Sequence, residues 1–94
     1  VIESFASDET KNIFLGKIST KLPKDIQCTV RRKLIYIDEA EDLQDLLAPP
    51  GNRLEKLKGG RAGQYSIRIK DQWQICFEWK NNKAQNVEIV DYHS

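Results

Sequence analysis

Asp91, Tyr92 and His93 follow the last hydrophobic run of the sequence, "NVEIV", and include its only histidine. A carboxylate, a phenol and an imidazole are side-chain types that move protons. Histidine, with an unperturbed pKa of about 6.5, offers both of its forms near neutrality. Tyrosine, ordinarily near 10, would need a strongly cationic setting to act as a base. It suits the roles of proton donor or stacking platform better. An acid beside a histidine can fix its tautomer and support the imidazolium, a role open to Asp91. In a regular strand Asp91 and His93 share one face and Tyr92 takes the other. All three then enter one pocket only if the strand twists or ends near Asp91. The plainer alternative is a terminal tail bearing a surface histidine.

A second set of candidates is cationic. The formal net charge is +1, which by itself calls for no polyanion, but the charge is unevenly spread. Five acids and no base lie between residues 38 and 45 (Asp38, Glu39, Glu41, Asp42, Asp45). Six bases (Arg53, Lys56, Lys58, Arg61, Arg68, Lys70) and the single acid Glu55 lie between 53 and 70. Either these are two solvated faces, or the second half builds a phosphate-binding face.

The elements that must position these residues divide by period. In "SDETKNIFLGK", Ser7 or Asp8 offers an N-cap and Gly16 a stop, which predicts a short helix with Ile13 and Phe14 inward. In "LPKDIQCTVRRKLIYIDEA", Pro23 suits a first helical position. Ile26, Val30, Leu34 and Ile37 recur at the spacing of one helical face, with Lys24, Gln27, Arg31 and Arg32 opposite. A third short helix is expected around 41–47, before "APPGN" breaks the chain. Beyond Asn52 the period becomes two. Tyr65, Ile67 and Ile69 alternate with Ser66, Arg68 and Lys70; Trp73, Ile75, Phe77 and Trp79 alternate with Gln74, Cys76 and Glu78; Val87 and Ile89 flank Glu88. Connections as short as "KDQ" and "KNNK" call for antiparallel hairpins. "RLEKL" (53–57) reads as a further strand and "VIESF" as an edge strand. The expectation is an α+β fold over residues 1–94 as a single domain. Two or three N-terminal helices pack on one face of an antiparallel sheet of four to five strands. The other face carries Arg68, Lys70, Gln74, Cys76 and Glu78 and is either an ordinary solvent face or a cradle for RNA.

Composition narrows the class. No apolar run approaches the length of a membrane span, and "VIESFASDET" lacks the basic-then-apolar order of a signal peptide. Cys28 and Cys76, without CxxC spacing, are expected as reduced, buried packing residues of a cytoplasmic protein. With one histidine, a structural zinc site is not expected. No methionine occurs, so the native start is expected to be altered or missing.

Taken in order, "VIESF", "RRKL…IDEA", "PPGNRLEKLKGGRAGQYSIRIKDQWQICFEW" and "VEIVDYH" resemble the HigB-type toxins of bacterial toxin–antitoxin pairs, a branch of the RelE superfamily, over nearly the whole chain. The resemblance implies a compact α+β fold with a curved antiparallel sheet. It also implies an endoribonuclease that cuts mRNA on the translating ribosome without metal or other cofactor. A HigA-type helix-turn-helix antitoxin would hold it inactive, and the complex with that antitoxin would bind operator DNA. It further implies catalytic roles for Asp91, Tyr92 and His93, and phosphate contact for Lys58. Arg53, Lys56, Arg61, Arg68 and Lys70 would position RNA. Two departures stand out. Glu55 replaces the histidine of the family's "L-H-x-L-K-G" and either serves as a base or is a surface residue. Gln74 replaces the arginine of "W-R-I", removing the charge that guanidinium would bring to a phosphate. Loss of one such donor typically costs about 10²- to 10³-fold in rate. The implied toxin is therefore weakened, by an introduced substitution or as a natural variant. Two other readings stay open: a catalytically silent protein that binds antitoxin or RNA, and a ParE-type gyrase toxin on the same fold.

Overall fold

In the computed structural model, which describes residues 1–91, the chain forms α1 (Asp8–Phe14), α2 (Lys24–Glu39) and a four-stranded antiparallel sheet of order β1-β2-β3-β4. Its strands are β1 (Glu55–Lys56), β2 (Gln64–Lys70), β3 (Trp73–Lys80) and β4 (Lys83–Asp91). Ser7 caps α1, its Oγ accepting the Thr10 N–H, and Gly16 ends it at φ +91°, a left-handed conformation that side chains resist. On α2, Ile26, Val30, Leu34 and Ile37 are all buried, as their spacing predicts. They meet Ile67, Ile75, Phe77, Ala84 and Val87 from the sheet. Tyr65, Trp73 and Trp79 are half-buried against this core, with Tyr65 and Phe77 stacked at 6.3 Å.

Two tight turns fix the register. Asn81 and Asn82 join β3 to β4 with φ of 52° and 61°, the paired positive values of a two-residue hairpin turn that asparagine tolerates. Asp71, at φ 49°, turns β2 into β3. Register breaks occur between Arg68 and Lys70 and between Cys76 and Glu78, the second opposite the positive-φ Asn86. Such bulges bend and twist a sheet.

Several expectations are corrected. The strand at 53–57 contracts to Glu55–Lys56: Pro50–Asn52 forms a 3-10 turn ending on Arg53 in the left-handed region, so pairing starts late. The third helix is a 3-10 turn, Leu43–Leu47, closed by reciprocal bonds between Asp42 and Asp45 and the backbone. Part of the acidic run thus serves local structure, as does Asp38, whose carboxylate accepts the Ile2 N–H. "VIESF" lies parallel to β4 through isolated bridges, Ile2 to Ala84 and Phe5 to Val87, rather than as an edge strand. Together with the Thr10 hydroxyl, which accepts the Ile89 N–H at 3.0 Å, it covers the edge that β4 would otherwise expose. Cys28 is exposed, on the flank of α2 that faces away from the core. Gln27, expected on the solvated face, is half-buried and clamps the interhelical loop through Ser19 and Leu22.

A buried lysine is the least expected feature. Lys33 is 6% exposed, and its Nζ donates to Asn52 Oδ1 at 2.8 Å. Asn52, fully buried, donates in turn to the carbonyls of Leu46 and Ala48. This relay ties α2 to the turn that launches β1. Burial first, then the positive charges of Arg32 and Arg68, hold the Lys33 ammonium below the usual lysine range.

Three outcomes follow from this packing. Asn52→Ala leaves an ammonium and two carbonyls without their partner and should cost about 2–4 kcal/mol in denaturant unfolding. Because the folded-state pKa of Lys33 is lowered, the unfolded chain binds more protons in the alkaline range, and this site's contribution to stability rises with pH there. The stability of the parent relative to Lys33→Met should therefore climb as pH rises toward the ordinary lysine value of 10.5, where a flat difference would contradict the assignment. In thiol labelling of the native protein, Cys28 should react readily and Cys76 only on unfolding.

Candidate functional site

Alternation and register together determine which side chains share the sheet face away from α2. Residues paired across strands lie on the same side, about 5 Å apart. Glu55, Ser66, Cys76 and Glu88 thus form one row across all four strands. Arg68, Gln74 and Val90 form the next row toward the far end. Gln64 and Glu78 pair in the row on the other side. Glu55 and Glu88, at the two ends of the first row, are three strand spacings apart, roughly 14 Å.

This face is less open than its polarity suggests. Ser66 and Cys76 are 1% and 0% exposed, so the row has a closed middle flanked by half-buried or exposed ends. Arg61, at the end of the Gly59–Arg61 3-10 turn, reaches over it. Its Nη1 donates to Gln64 Oε1 at 3.0 Å and to Glu88 Oε1 at 2.7 Å. Glu78 lies further along, and its carboxyl is held below the usual range, chiefly by the hydrogen bond from Asn86 and also by Lys80.

The remaining candidates divide by position. Arg68 sits directly opposite Gln74 and is half-buried. Its charge, like that of Arg32, bears on the buried Lys33 ammonium and helps hold it below the usual range. Lys58 is exposed at the start of the 3-10 turn that joins β1 to β2. Arg53 is exposed at the left-handed position before β1. Lys56 pairs with Tyr65, on the side opposite Glu55. Lys70 is engaged with Asp25 at the start of α2, 3.3 Å away and well exposed, a pair worth at most about 1 kcal/mol. Asp91 pairs with Trp73, so alternation puts it on the side of Ile75 and Ile89 rather than that of Gln74 and Glu88. Tyr92 and His93 lie outside the described residues.

The structure therefore brings Glu55, Arg61, Arg68 and Gln74 to one face and places Lys56 and Asp91 on the other, together with Lys70, which the register shift after Arg68 turns away from the polar face where alternation alone places it. Glu88 was missed in the sequence as a residue of this face. Glu88 was legible as the polar member of an alternating strand, but its partner Arg61 is 27 residues away and only the fold brings them together. The open grooves of 430 and 240 Å³ run along α2, lined by Tyr36, Glu39 and the residues around them, and do not touch this face. Among the described residues no cluster of three or more His, Cys, Asp or Glu is placed to hold a metal ion, and no helix is long and apolar enough to cross a membrane. Chemically, the face combines a carboxylate at one end, which can accept a proton, with guanidinium groups that can bear on phosphate oxygens, and Gln74 puts a neutral amide opposite Arg68.

Known proteins bear on this arrangement. Residues 3–93 match the model of the RelE-like toxin of type II toxin–antitoxin system HigB. The chain is 34% identical over 88 residues to Toxin HigB-1 of Vibrio cholerae, spanning 94% of this chain and 85% of that one. It is 30% identical over 97 residues to Endoribonuclease HigB of Proteus vulgaris, spanning 99% and 100%. An uncharacterised protein of Haemophilus influenzae is 35% identical over 79 residues, 84% of this chain and 77% of that one. In three dimensions the fold resembles a chain of the YoeB–YefM complex from Staphylococcus aureus, with a TM-score of 0.62 at 19% identity, covering 100% and 99% of the two chains. With the motifs, the sheet and the family model in agreement, the chain belongs to the HigB-like toxins of type II toxin–antitoxin systems, on the RelE-like fold.

Proposed function

We propose that this chain is an endoribonuclease toxin that cuts mRNA on the translating ribosome, using the sheet face that carries Glu55, Arg68 and Gln74. The observation that carries the reading is that Glu55 and Arg68 occupy adjacent rows of one face, on neighbouring strands, in a relative of Endoribonuclease HigB. In the proposed reaction Glu55 takes the proton of a 2′-hydroxyl as that oxygen attacks the adjacent phosphorus. Arg68 and Lys58 bear on the non-bridging oxygens. The bond to the 5′-oxygen breaks, and His93 in its protonated form supplies the proton that oxygen needs. The products are a 2′,3′-cyclic phosphate and a free 5′-hydroxyl, and no metal takes part. The roles of Asp91, Tyr92 and His93 rest on residue type and on the family's terminal Asp-Tyr-His. Asp91 ends β4 on the opposite side of the sheet, so His93 reaches the substrate only if the chain departs from the regular strand beyond Asp91, which would then act through His93.

Gln74, next to Arg68, fills the place for a further cation with a neutral amide. That substitution favours a second reading, in which the chain retains partner binding but cuts weakly or not at all. The partner in either case is an antitoxin of the HigA type. The likeness to a chain of a complex named for both of its members, YoeB and YefM, supports a paired existence for this fold.

In a purified translation system, Gln74→Arg should raise cleavage of a defined mRNA by about 10²- to 10³-fold over the parent chain. On that background, Glu55→Gln should remove about 10²-fold or more of the gain while leaving ribosome binding intact. Antitoxin binding by all three chains with no cleavage by any would instead establish the silent reading.

A further inference from the structure

We infer that Glu88 is a positioning residue of the RNA-binding face, acting through Arg61; the inference rests on the nuclease reading and deepens it. Arg61 is carried by the β1–β2 connection, the segment that also holds Lys58. Its side chain extends from the start of β2 to β4, where Glu88 is two strand spacings, roughly 10 Å, from Ser66 of β2. Both bonds engage the same amino group: Nη1 meets Gln64 on β2 and Glu88 on β4. Two acceptors on different strands, converging on one nitrogen, fix where the guanidinium lies and how its plane is turned. The pair is about one-third exposed, at 34% and 28%, so it borders the open part of the face rather than being sealed inside the core.

Phosphate recognition by arginine depends on the direction of its planar fork as much as on its charge. An arginine already held in place loses less side-chain freedom when a phosphate arrives. Glu88 thus does for Arg61 what a long loop side chain cannot do for itself. It holds the cation at the Glu88 end of the row Glu55–Ser66–Cys76, across the face from Glu55. The same contact ties the β1–β2 connection, which carries Lys58, to β4.

The test uses the full chain on the Gln74→Arg background, with programmed ribosomes carrying either cleavable mRNA or mRNA whose 2′-hydroxyls are methylated. Glu88→Ala should weaken binding of the uncleavable complex and lower cleavage by between about 10- and 100-fold. Glu88→Gln, which keeps an oxygen acceptor at the same place, should restore most of the loss. Arg61→Ala should match Glu88→Ala, and the double variant should be no worse than either, because both remove the same aimed cation. Thermal unfolding of each variant identifies any loss due to misfolding, and Glu88→Gln carries the test if Glu88→Ala fails to fold. Unchanged binding and cleavage in a folded Glu88→Ala, or additive losses with Arg61→Ala, would overturn the inference. So would a gain on removing Glu88, which would make the carboxylate a competitor for Arg61. If the Gln74→Arg chain itself cuts nothing, the nuclease reading fails separately, and the affinity of the same variants for the uncleavable complex still decides the role of Glu88.

Discussion

The register between β2, β3 and β4 decides what this protein can do with its side chains. A strand turns over with every residue, so a slip of one position would exchange Ser66, Gln74 and Glu88 for Ile67, Ile75 and Val87. The buried row of Ile67 and Ile75, with Ile89 beside them, makes that slip expensive, and the two-residue turn at Asn81 and Asn82 leaves it no slack. The polar face is therefore the complement of the core. Each apolar residue committed against α2 commits its neighbours to the other side, where a chain with a deep hydrophobic sandwich would have placed more aliphatic groups.

The first row depends on a second device. β1 pairs over only two residues, too few to hold a strand by ladder bonds alone. Its start is held from the helix side, where the Lys33 ammonium meets Asn52 and Asn52 secures the carbonyls of Leu46 and Ala48. Its far end is held from the sheet side, where Arg61 meets Gln64 and Glu88. Glu55 lies between these two anchors. A buried lysine is a costly anchor, since desolvation and two neighbouring arginines oppose its charge.

Much of this could be read before any coordinates. The spacing of Ile26, Val30, Leu34 and Ile37 gave the buried face of α2, and the alternation of Tyr65–Ile69 and Trp73–Trp79 gave the sides of the sheet as far as the register break after Arg68, beyond which Lys70 changes side. What could not be read came from contacts between elements. Lys33 sits in the run Arg31–Arg32–Lys33, which looks solvated throughout, and only its pairing with an asparagine 19 residues later explains its burial. Cys28 followed the rule that thiols are buried, but it lies on the flank of α2 that nothing covers among the described residues. "VIESF" carries a strand-like pattern, yet Asn86 at positive φ breaks the edge it pairs with, leaving bridges instead of a ladder. At the site, Arg68 and Gln74 fell on the expected face, whereas the engagement of Arg61 by Glu88 required knowing how the Gly59–Arg61 turn folds back.

The central claim is that RNA is handled on the face of Glu55, Arg68 and Gln74, not along the grooves of α2. Hydrogen exchange of the chain, free and bound to ribosomes programmed with 2′-O-methylated mRNA, addresses this directly. The account predicts protection concentrated in the β1–β2 connection and along β2 and β3, with α2 unchanged. Protection confined to α2 and the 43–52 segment, with the sheet exchanging as in the free protein, would contradict it.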